Sequence, residues 1–546
     1  MKVNLRILGM LVAPLPIFAL AVPAANATVT PAANGRVVLA DAAAADIAGT
    51  HATRTGAVAS NEKIGLEVSL NLRNKSQLDA FVRSVSDAKS AQYKHYLTVR
   101  QFVAEYAPTQ AQIDQVTSYL KSEGLSVGAL TGNHLTVAVA GTAAQVEKAF
   151  NVSISTYKTA TQTFHANSAA PSLPAGIAAV VGNVSGMNTE ALHVSLAHKA
   201  AAGSNAVTAH AGTTLTPTTA REAYNLSTDI STDSYNGSGK TIALAEFSAY
   251  TASDVAKYNS NYSLGVTAAS VVKVDGGTTD TSGEDEDELD IEVDYALAPK
   301  ATIKVYEAPN SDAGEVALYS ALASADTTAV SSSWGEPEAQ ENNLSSDDAD
   351  FEEMAAQGQS MFAASGDSGA DDNGSSLSVD YPASDTYVSG VGGTTVTVSS
   401  GAWSSETAWS GSGGGISVEF KTPSYQTAVN SGAYRDVPDV AAAGSDSSPW
   451  HVYVEGGWYS VWGTSAAAPN WAAFIADYDT AATDLGGAKF GYVNSFLYPI
   501  GEGSLYSTVM HDVTSGSNGG YSAGTGYDKV TGWGSYNGGK FIADKL

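Results

Sequence analysis

The stretch Ala301-Thr302-Ile303-Lys304-Val305-Tyr306-Glu307, the helix-length run 313–324 and the stretch Thr328-Ala329-Val330-Ser331-Ser332-Ser333 decide how this chain is read. Two short segments rich in Val, Ile and Ala bracket about three turns of apolar helix, which makes one strand–helix–strand unit. The pattern continues outward on both sides. Further strands are expected at 241–247, 270–274 and 360–365, with helices at 286–298 and 344–357. Such alternation gives an α/β fold, a parallel sheet covered by helices on both faces. In these folds the reactive groups gather at the carboxyl ends of the strands.

The chain has 546 residues, 43% hydrophobic and 15% charged. That length allows about two to four domains and a sizeable core. Its 27 Lys and Arg against 56 Asp and Glu leave a net charge of −29. Nucleic acid and anionic membrane, which need clustered cations, are excluded as partners. There is no Cys, so thiol nucleophiles, disulfide scaffolds and Cys-ligated metals are excluded too. The acid is unevenly spread. Residues 28–200 carry 13 Lys and Arg against 11 Asp and Glu, and residues 201–546 carry 12 against 45. Two bodies are expected. The second repels itself at neutral pH and is relieved as its carboxylates protonate, which fits either an acidic working environment or plain solubility.

Residues 1–27 read as a secretory signal peptide. Lys2 and Arg6 precede the apolar run Ile7 to Val22, and Ala25-Asn26-Ala27 forms a small-residue cleavage site. Pro14 and Pro16 argue against a membrane span. The product is expected to be secreted and extracellular, and the lack of Cys in an exported chain points to a bacterial source. Between 60 and 160, alternating Ile64, Leu66, Val68, Leu70 and Leu72 mark a strand. Leu78, Phe81, Val82 and Val85 mark a helix. Ile113, Val116 and Leu120 mark a second, closed by Gly124. Leu135, Val137 and Val139 form another strand, a helix with Val146 and Phe150 is capped near Thr142, and Val152 and Ile154 begin a further strand. This order is that of an α+β ferredoxin-like body. Residues 196–216, rich in Ala, Gly, Ser and Thr, read as an exposed linker open to cleavage.

Ser465 is the candidate nucleophile. In Gly463-Thr464-Ser465-Ala466-Ala467-Ala468-Pro469 the small residues allow a tight turn, and Pro469 is expected in the first turn of a helix. Backbone N–H groups at that helix start favour a developing anion. The same string also suits a simple helix cap. A serine nucleophile needs a base. After residue 200 the only imidazoles are His210, His451 and His511, none early in the α/β part, so a Ser–His–Asp triad is not expected. Carboxylates are available instead. Glu286 and Asp290, four apart, share one helix face, but so do Glu288 and Glu292, and periodicity leaves the register open. A carboxylate remains a usable base in acid, where imidazole is fully protonated. Ser365-Gly366-Asp367-Ser368-Gly369 closes a strand. Protonated, Asp367 can donate to an oxyanion, or it can make an Asx turn.

Taken together these residues resemble the sedolisins, the serine-carboxyl peptidases, and among them the kumamolisin-like bacterial branch. Glu286-Asp287-Glu288-Leu289-Asp290 matches the family's Glu-x-x-Leu-Asp string, residues 463–469 its Gly-Thr-Ser-x-x-x-Pro string and residues 365–367 its Ser-Gly-Asp string. Arg435 and Pro438-Asp439-Val440-Ala441 match a segment shared with subtilisins. Tyr96-Leu97-Thr98, Phe102 and Ala107-Pro108 resemble the family's activation domain, and Thr216-Pro217 through Leu226 the start of its mature enzymes. The resemblance implies a subtilisin-like fold and an acid-active endopeptidase. Ser465 is then the nucleophile, Glu286 the base and later the acid, Asp290 its orienting partner and Asp367 the oxyanion donor. It implies a supporting network of Glu246 and Trp334. It also implies one structural Ca²⁺ held by Asp512, Val513, Gly524, Gly526 and Asp528, for which the acidic, Gly-rich loop supplies the oxygen ligands such an ion prefers.

The organisation expected is therefore a signal peptide at 1–27, an activation prodomain and linker at 28–200 cut somewhere in 190–215, and a peptidase domain at 201–546. Its partners would be protein or peptide substrates and its own prodomain, acting as intramolecular inhibitor and chaperone, with the peptidase a monomer. Two other readings stand beside this one. One is a catalytically inactive extracellular binding relative. The other is a His-dependent enzyme that brings His451 or His511 to Ser465.

Overall fold

The computed structural model describes residues 35–39, 52–191, 193–200 and 212–545. The expected signal peptide and residues 201–211 of the linker lie outside them. Among the described residues no helix is long and apolar enough to cross a membrane.

The α/β expectation holds. Strands run in the order Ser270–Lys273, Thr302–Glu307, Thr241–Glu246, Ala329–Ser332, Ser360–Ala364 and Ser389–Ser399, each pair parallel. Val440–Ala443 adds in parallel to Ser389–Ser399, and Ala402–Ala408 closes the edge as an antiparallel hairpin. The expected helices appear as Glu284–Leu297, Asp312–Ala323 and Leu344–Gln357. The sheet strands are apolar on both faces because helices cover both, so they read as continuous apolar runs and not as alternation. The helix Thr464–Leu485 crosses one face and is buried from Thr464 to Ala482. Pro469 is the sixth residue of this helix, beyond the first turn where it was expected. Lacking an N–H, it leaves the Ser465 carbonyl without its helical donor. The Ser333 hydroxyl lies 3.1 Å from that carbonyl and fills the gap.

The N-terminal body is an antiparallel sheet in the order Ser126–Leu130, Thr136–Thr142, Lys63–Leu70 and Val181–Ser185, with helices Lys75–Ser86, Gln110–Ser122 and Ala143–Phe150. This is the ferredoxin-like arrangement expected, except that the strand expected from Val152 and Ile154 forms as Ile154–Lys158 in a separate sheet with Thr53–Ala57 and Thr163–Asn167, and Val181–Ser185 supplies the fourth strand here. Thr142 caps its helix through a reciprocal bond with Gln145. The body sits on the helices Asp312–Ala323 and Leu344–Gln357. The buried Asn133 donates to Asp350 (2.7 Å) and Glu353 (2.9 Å), and Lys75 pairs with the buried Glu352 at 2.7 Å.

One expectation needs correction. Residues 196–216 do not begin as an exposed linker, since Leu196 is 7% exposed and Leu215 fully buried. The first residues of the segment are drawn into a cleft of the second domain, where backbone pairing and an apolar pocket outweigh their lack of periodicity.

Candidate active site

The segment 193–200 crosses the carboxyl ends of the parallel strands in extended form. Val194 and Ser195 pair antiparallel with Gly335 and Trp334, and His198 and Lys199 with Trp462 and Val461. Asn310 donates to the His193 carbonyl at 2.8 Å, and the Ala200 N–H donates to Ser460 at 2.9 Å. Between the two paired stretches lies Leu196. The three nearest atoms to the place where a Cβ on Gly463 would sit are the Leu196 carbonyl oxygen, Asp367 Oδ2 and Ser465 Oγ, the last two at 2.7 Å. Only glycine permits this approach, and its φ of 148° is one that other residues avoid. The Leu196 carbonyl oxygen, Asp367 Oδ2 and Ser465 Oγ thus all border the space beside Gly463.

Ser465 is the second residue of its helix, and its hydroxyl is buried without a hydrogen-bond partner among the described residues. Asp367, at the end of the strand Ser360–Ala364, accepts from the Thr464 N–H and hydroxyl through Oδ1, both at 2.7 Å. Its Oδ2 meets His198 Nε2 at 3.2 Å. Burial raises the Asp367 carboxyl, and the bonds from His198 and Thr464 oppose that shift.

The acidic helix Glu284–Leu297 is buried on every side from Glu286 onward, so its carboxylates differ only in what they face. Glu286 Oε2 accepts from the Ser195 hydroxyl of the linker at 2.9 Å. Asp290 lies 2.8 Å from Ser333 Oγ through each of its oxygens. Because that hydroxyl also reaches the Ser465 carbonyl, Ser333 ties the acidic helix to the start of the Ser465 helix. Glu246 Oε2 accepts from Trp334 Nε1 at 2.7 Å. Glu288 and Glu292 point elsewhere, to the N–H groups of Thr251 and Tyr453. Burial raises Glu286 and Asp290 well above the usual carboxylate range, with the neighbouring Glu246 adding to both. Glu246 itself is pushed up to about 7, mainly by burial. Carboxylates packed this closely cannot all ionise, so they share protons.

The imidazoles expected for a His-dependent enzyme are engaged apart from this cleft. His451 Nδ1 meets the Tyr262 hydroxyl at 2.6 Å, and His511 stacks on Trp403 at 4.1 Å between ring centres. Arg435 is buried in an ion pair with Asp439 and bonds three backbone carbonyls, a packing role.

In the C-terminal loop, Asp512 and Asp528 lie against the loop glycines. Asp512 accepts from the Gly526 N–H at 3.1 Å, and Asp528 from the N–H groups of Gly524, Val530 and Thr531, each at 2.9 Å. Among the described residues neither carboxylate pairs with a cationic side chain, and the carbonyls of Val513, Gly524 and Gly526 accept no backbone hydrogen bond. Two carboxylates with free carbonyls make an all-oxygen donor set that fits Ca²⁺.

Sequence reasoning missed four residues. Asp287 is fully buried, its carboxylate oxygens have no hydrogen-bond partner among the described residues, and burial followed by the Glu246 charge raises it well above the usual carboxylate range. It was read only as one more acid in a run. Ser333 and the linker residues Ser195 and His198 carry no local signal, because strands of two residues have no period and a lone Ser has no pattern.

Two family descriptions match this chain. Residues 50–189 match "Pro-kumamolisin, activation domain" and residues 277–527 match "Subtilase family". Sedolisin of Pseudomonas sp. (strain 101) is 31% identical over 523 residues, 88% of this chain and 86% of that protein. Kumamolisin of Bacillus sp. (strain MN-32) is 31% identical over 519 residues, covering 88% and 91%. Among solved structures, Pseudomonas sedolisin, titled a serine-carboxyl proteinase complexed with two molecules of pseudo-iodotyrostatin, is similar. It shows a TM-score of 0.55 at 28% identity over 61% of this chain and 98% of that one.

Proposed function

Because this chain belongs to the sedolisin family of serine-carboxyl peptidases and is made as a zymogen, we propose that Ser465, Glu286, Asp290 and Asp367 carry its catalysis, and that the first bond it cuts is its own Leu196–Ala197. The observation that carries this is the Leu196 carbonyl oxygen, which with Ser465 Oγ and Asp367 Oδ2 borders the space beside Gly463.

In this reading Ser465 Oγ attacks the Leu196 carbonyl carbon and gives its proton to Glu286. Asp290, linked through Ser333 to the Ser465 backbone, holds a shared proton and fixes the acidic helix against the nucleophile. The oxyanion receives hydrogen bonds from a protonated Asp367 and from the Ser465 N–H at the helix start. As the intermediate collapses, Glu286 returns its proton to the Ala197 nitrogen and the C–N bond breaks. Water then hydrolyses the Leu196 ester by the same exchange. Glu246, Trp334 and Asp287 tune how many protons the cluster holds. The scheme suits acid, since Asp367 donates only while protonated.

The enzyme is read as an exported endopeptidase whose prodomain holds the cleft until acid maturation. Ca²⁺ is read into the loop of Asp512, Val513, Gly524, Gly526 and Asp528, where its role is to staple the chain. The experiment is incubation of the full-length precursor at roughly pH 4, where carboxylate bases still function, beside Ser465→Ala. The expected result is a mature N-terminus at Ala197 in the wild type alone. Processing of the Ser465→Ala precursor at the same bond would remove the assignment.

A further inference from the structure

The cleft holds a second contact that catalysis does not use. His193, three residues before Leu196, enters a pocket of the peptidase domain and is 3% exposed there. Its Nε2 meets Glu315 Oε1 at 2.9 Å, and Glu315 is 1% exposed. Its ring stacks on Phe247 at 4.4 Å and 23°. His193, Glu336 and Glu341 each bring a ligating atom within 4.8 Å of the others. Glu336 Oε2 and Glu341 Oε2 are buried with no partner among the described residues, and Asp312 adds its charge from the same side. Asn343 donates to the other oxygen of Glu315 at 2.9 Å and so fixes its carboxylate toward the imidazole.

These carboxylates come from the peptidase domain, whereas His193 belongs to the segment that leaves on maturation. Once it has left, the pocket keeps an aromatic wall and buried carboxylates with no cation between them. Unpaired buried carboxylates are costly, and a cation on an aromatic face restores both contacts. We propose that Glu315, Glu336 and Glu341 form a substrate subsite that selects a basic side chain, Lys, Arg or His, at the fourth residue before the cleaved bond. The inference rests on the proposed cut at Leu196–Ala197, which places His193 in that position. The backbone agrees, since Asn310 holds the His193 carbonyl and Gly335 pairs with Val194, as a cleft does for a substrate strand.

The test uses the acid-matured enzyme and peptides that copy residues 193–200 with Lys, His, Ala or Glu in the first position. A charge-assisted pair in a buried pocket should raise kcat/KM for the Lys and His peptides by about tenfold over Ala, carried in KM. The Glu peptide should be the poorest. Glu315→Gln should narrow the gap between the Lys and Ala peptides, read in KM. In the full chain, His193→Ala should mature more slowly and His193→Lys should restore the rate. Equal kcat/KM for all four peptides, each cleaved well, would overturn the subsite and leave the endopeptidase reading standing. If casein is cut but none of the peptides is, the proposed cut fails, and this subsite with it.

Discussion

The Ser195 hydroxyl of the departing segment donates to Glu286 Oε2 at 2.9 Å, while the Ser465 hydroxyl has no partner among the described residues. The carboxylate read as the base is thus held by a residue of the linker and not by the nucleophile. His198, also of this segment, brings its Nε2 to 3.2 Å from Asp367 Oδ2. In the proposed reading, the zymogen occupies the groups assigned to the cut.

Ser195→Ala should therefore speed maturation. A hydrogen bond contributes about 0.5–1.5 kcal/mol, so a several-fold effect is expected. An intact-mass time course in acid reads it directly, and slower loss of the prodomain in the variant would count against the inhibitory contact.

Substitution of the reacting groups should be far more severe. Ser465→Ala and Glu286→Ala should abolish maturation, and Asp290→Ala should do the same through loss of the link at Ser333. For Asp367→Ala a loss of about 10²–10³ in kcat is expected, the usual cost of one oxyanion donor. Asp367→Asn donates at every pH. It should recover part of the rate and move the alkaline limb of the profile upward, which a purely structural role of Asp367 would not do.

Glu246 raises Glu286 by its negative charge, after burial. Glu246→Gln removes that charge, so Glu286 should ionise at lower pH. The acid limb of kcat/KM should shift downward, measured on a peptide substrate up to about pH 8, since Glu246, pushed up to about 7, carries its charge only near and above that pH. An unmoved acid limb would separate Glu246 from the base.

Stability should fall as pH rises. Burial pushes Glu246 and Asp312 up to about 7, and Glu288 and Glu341 up to about 8. Unfolded carboxyls titrate near 4. Between about pH 4 and 8 the folded precursor therefore binds protons that the unfolded chain has released, and the free energy of unfolding decreases across that window. Tm of the Ser465→Ala precursor, which stays uncut, should be highest near the acid end and drop steadily toward pH 8.

Chelation should lower Tm of the mature enzyme, and Asp528→Ala should reproduce the lower value with no further response to chelator. A bound ion adds stability in proportion to the logarithm of its concentration over Kd, so added Ca²⁺ should restore the wild type and leave Asp528→Ala unchanged.

The sequence by itself determined the layers of this protein and the chemical types in its cleft. Apolar runs such as Thr241–Glu246 and Ser360–Ala364 can be buried on both faces only in a covered parallel sheet, and Gly463-Thr464-Ser465 with Ser365-Gly366-Asp367 named the polar groups at their ends. Periodicity could not choose between Glu286 with Asp290 and Glu288 with Glu292, because the whole helix is buried and no face is marked by solvent. Tertiary structure separates the two pairs by what each one meets. Ser333 and the linker come against one pair, and the N–H groups of Thr251 and Tyr453 against the other. Only the fold could show that residues 193–200 lie in the cleft. Their hold on it comes from strand edges, an apolar pocket and carboxylates brought together from Glu286, Glu315 and Asp367, positions distant in the chain whose convergence no local pattern encodes.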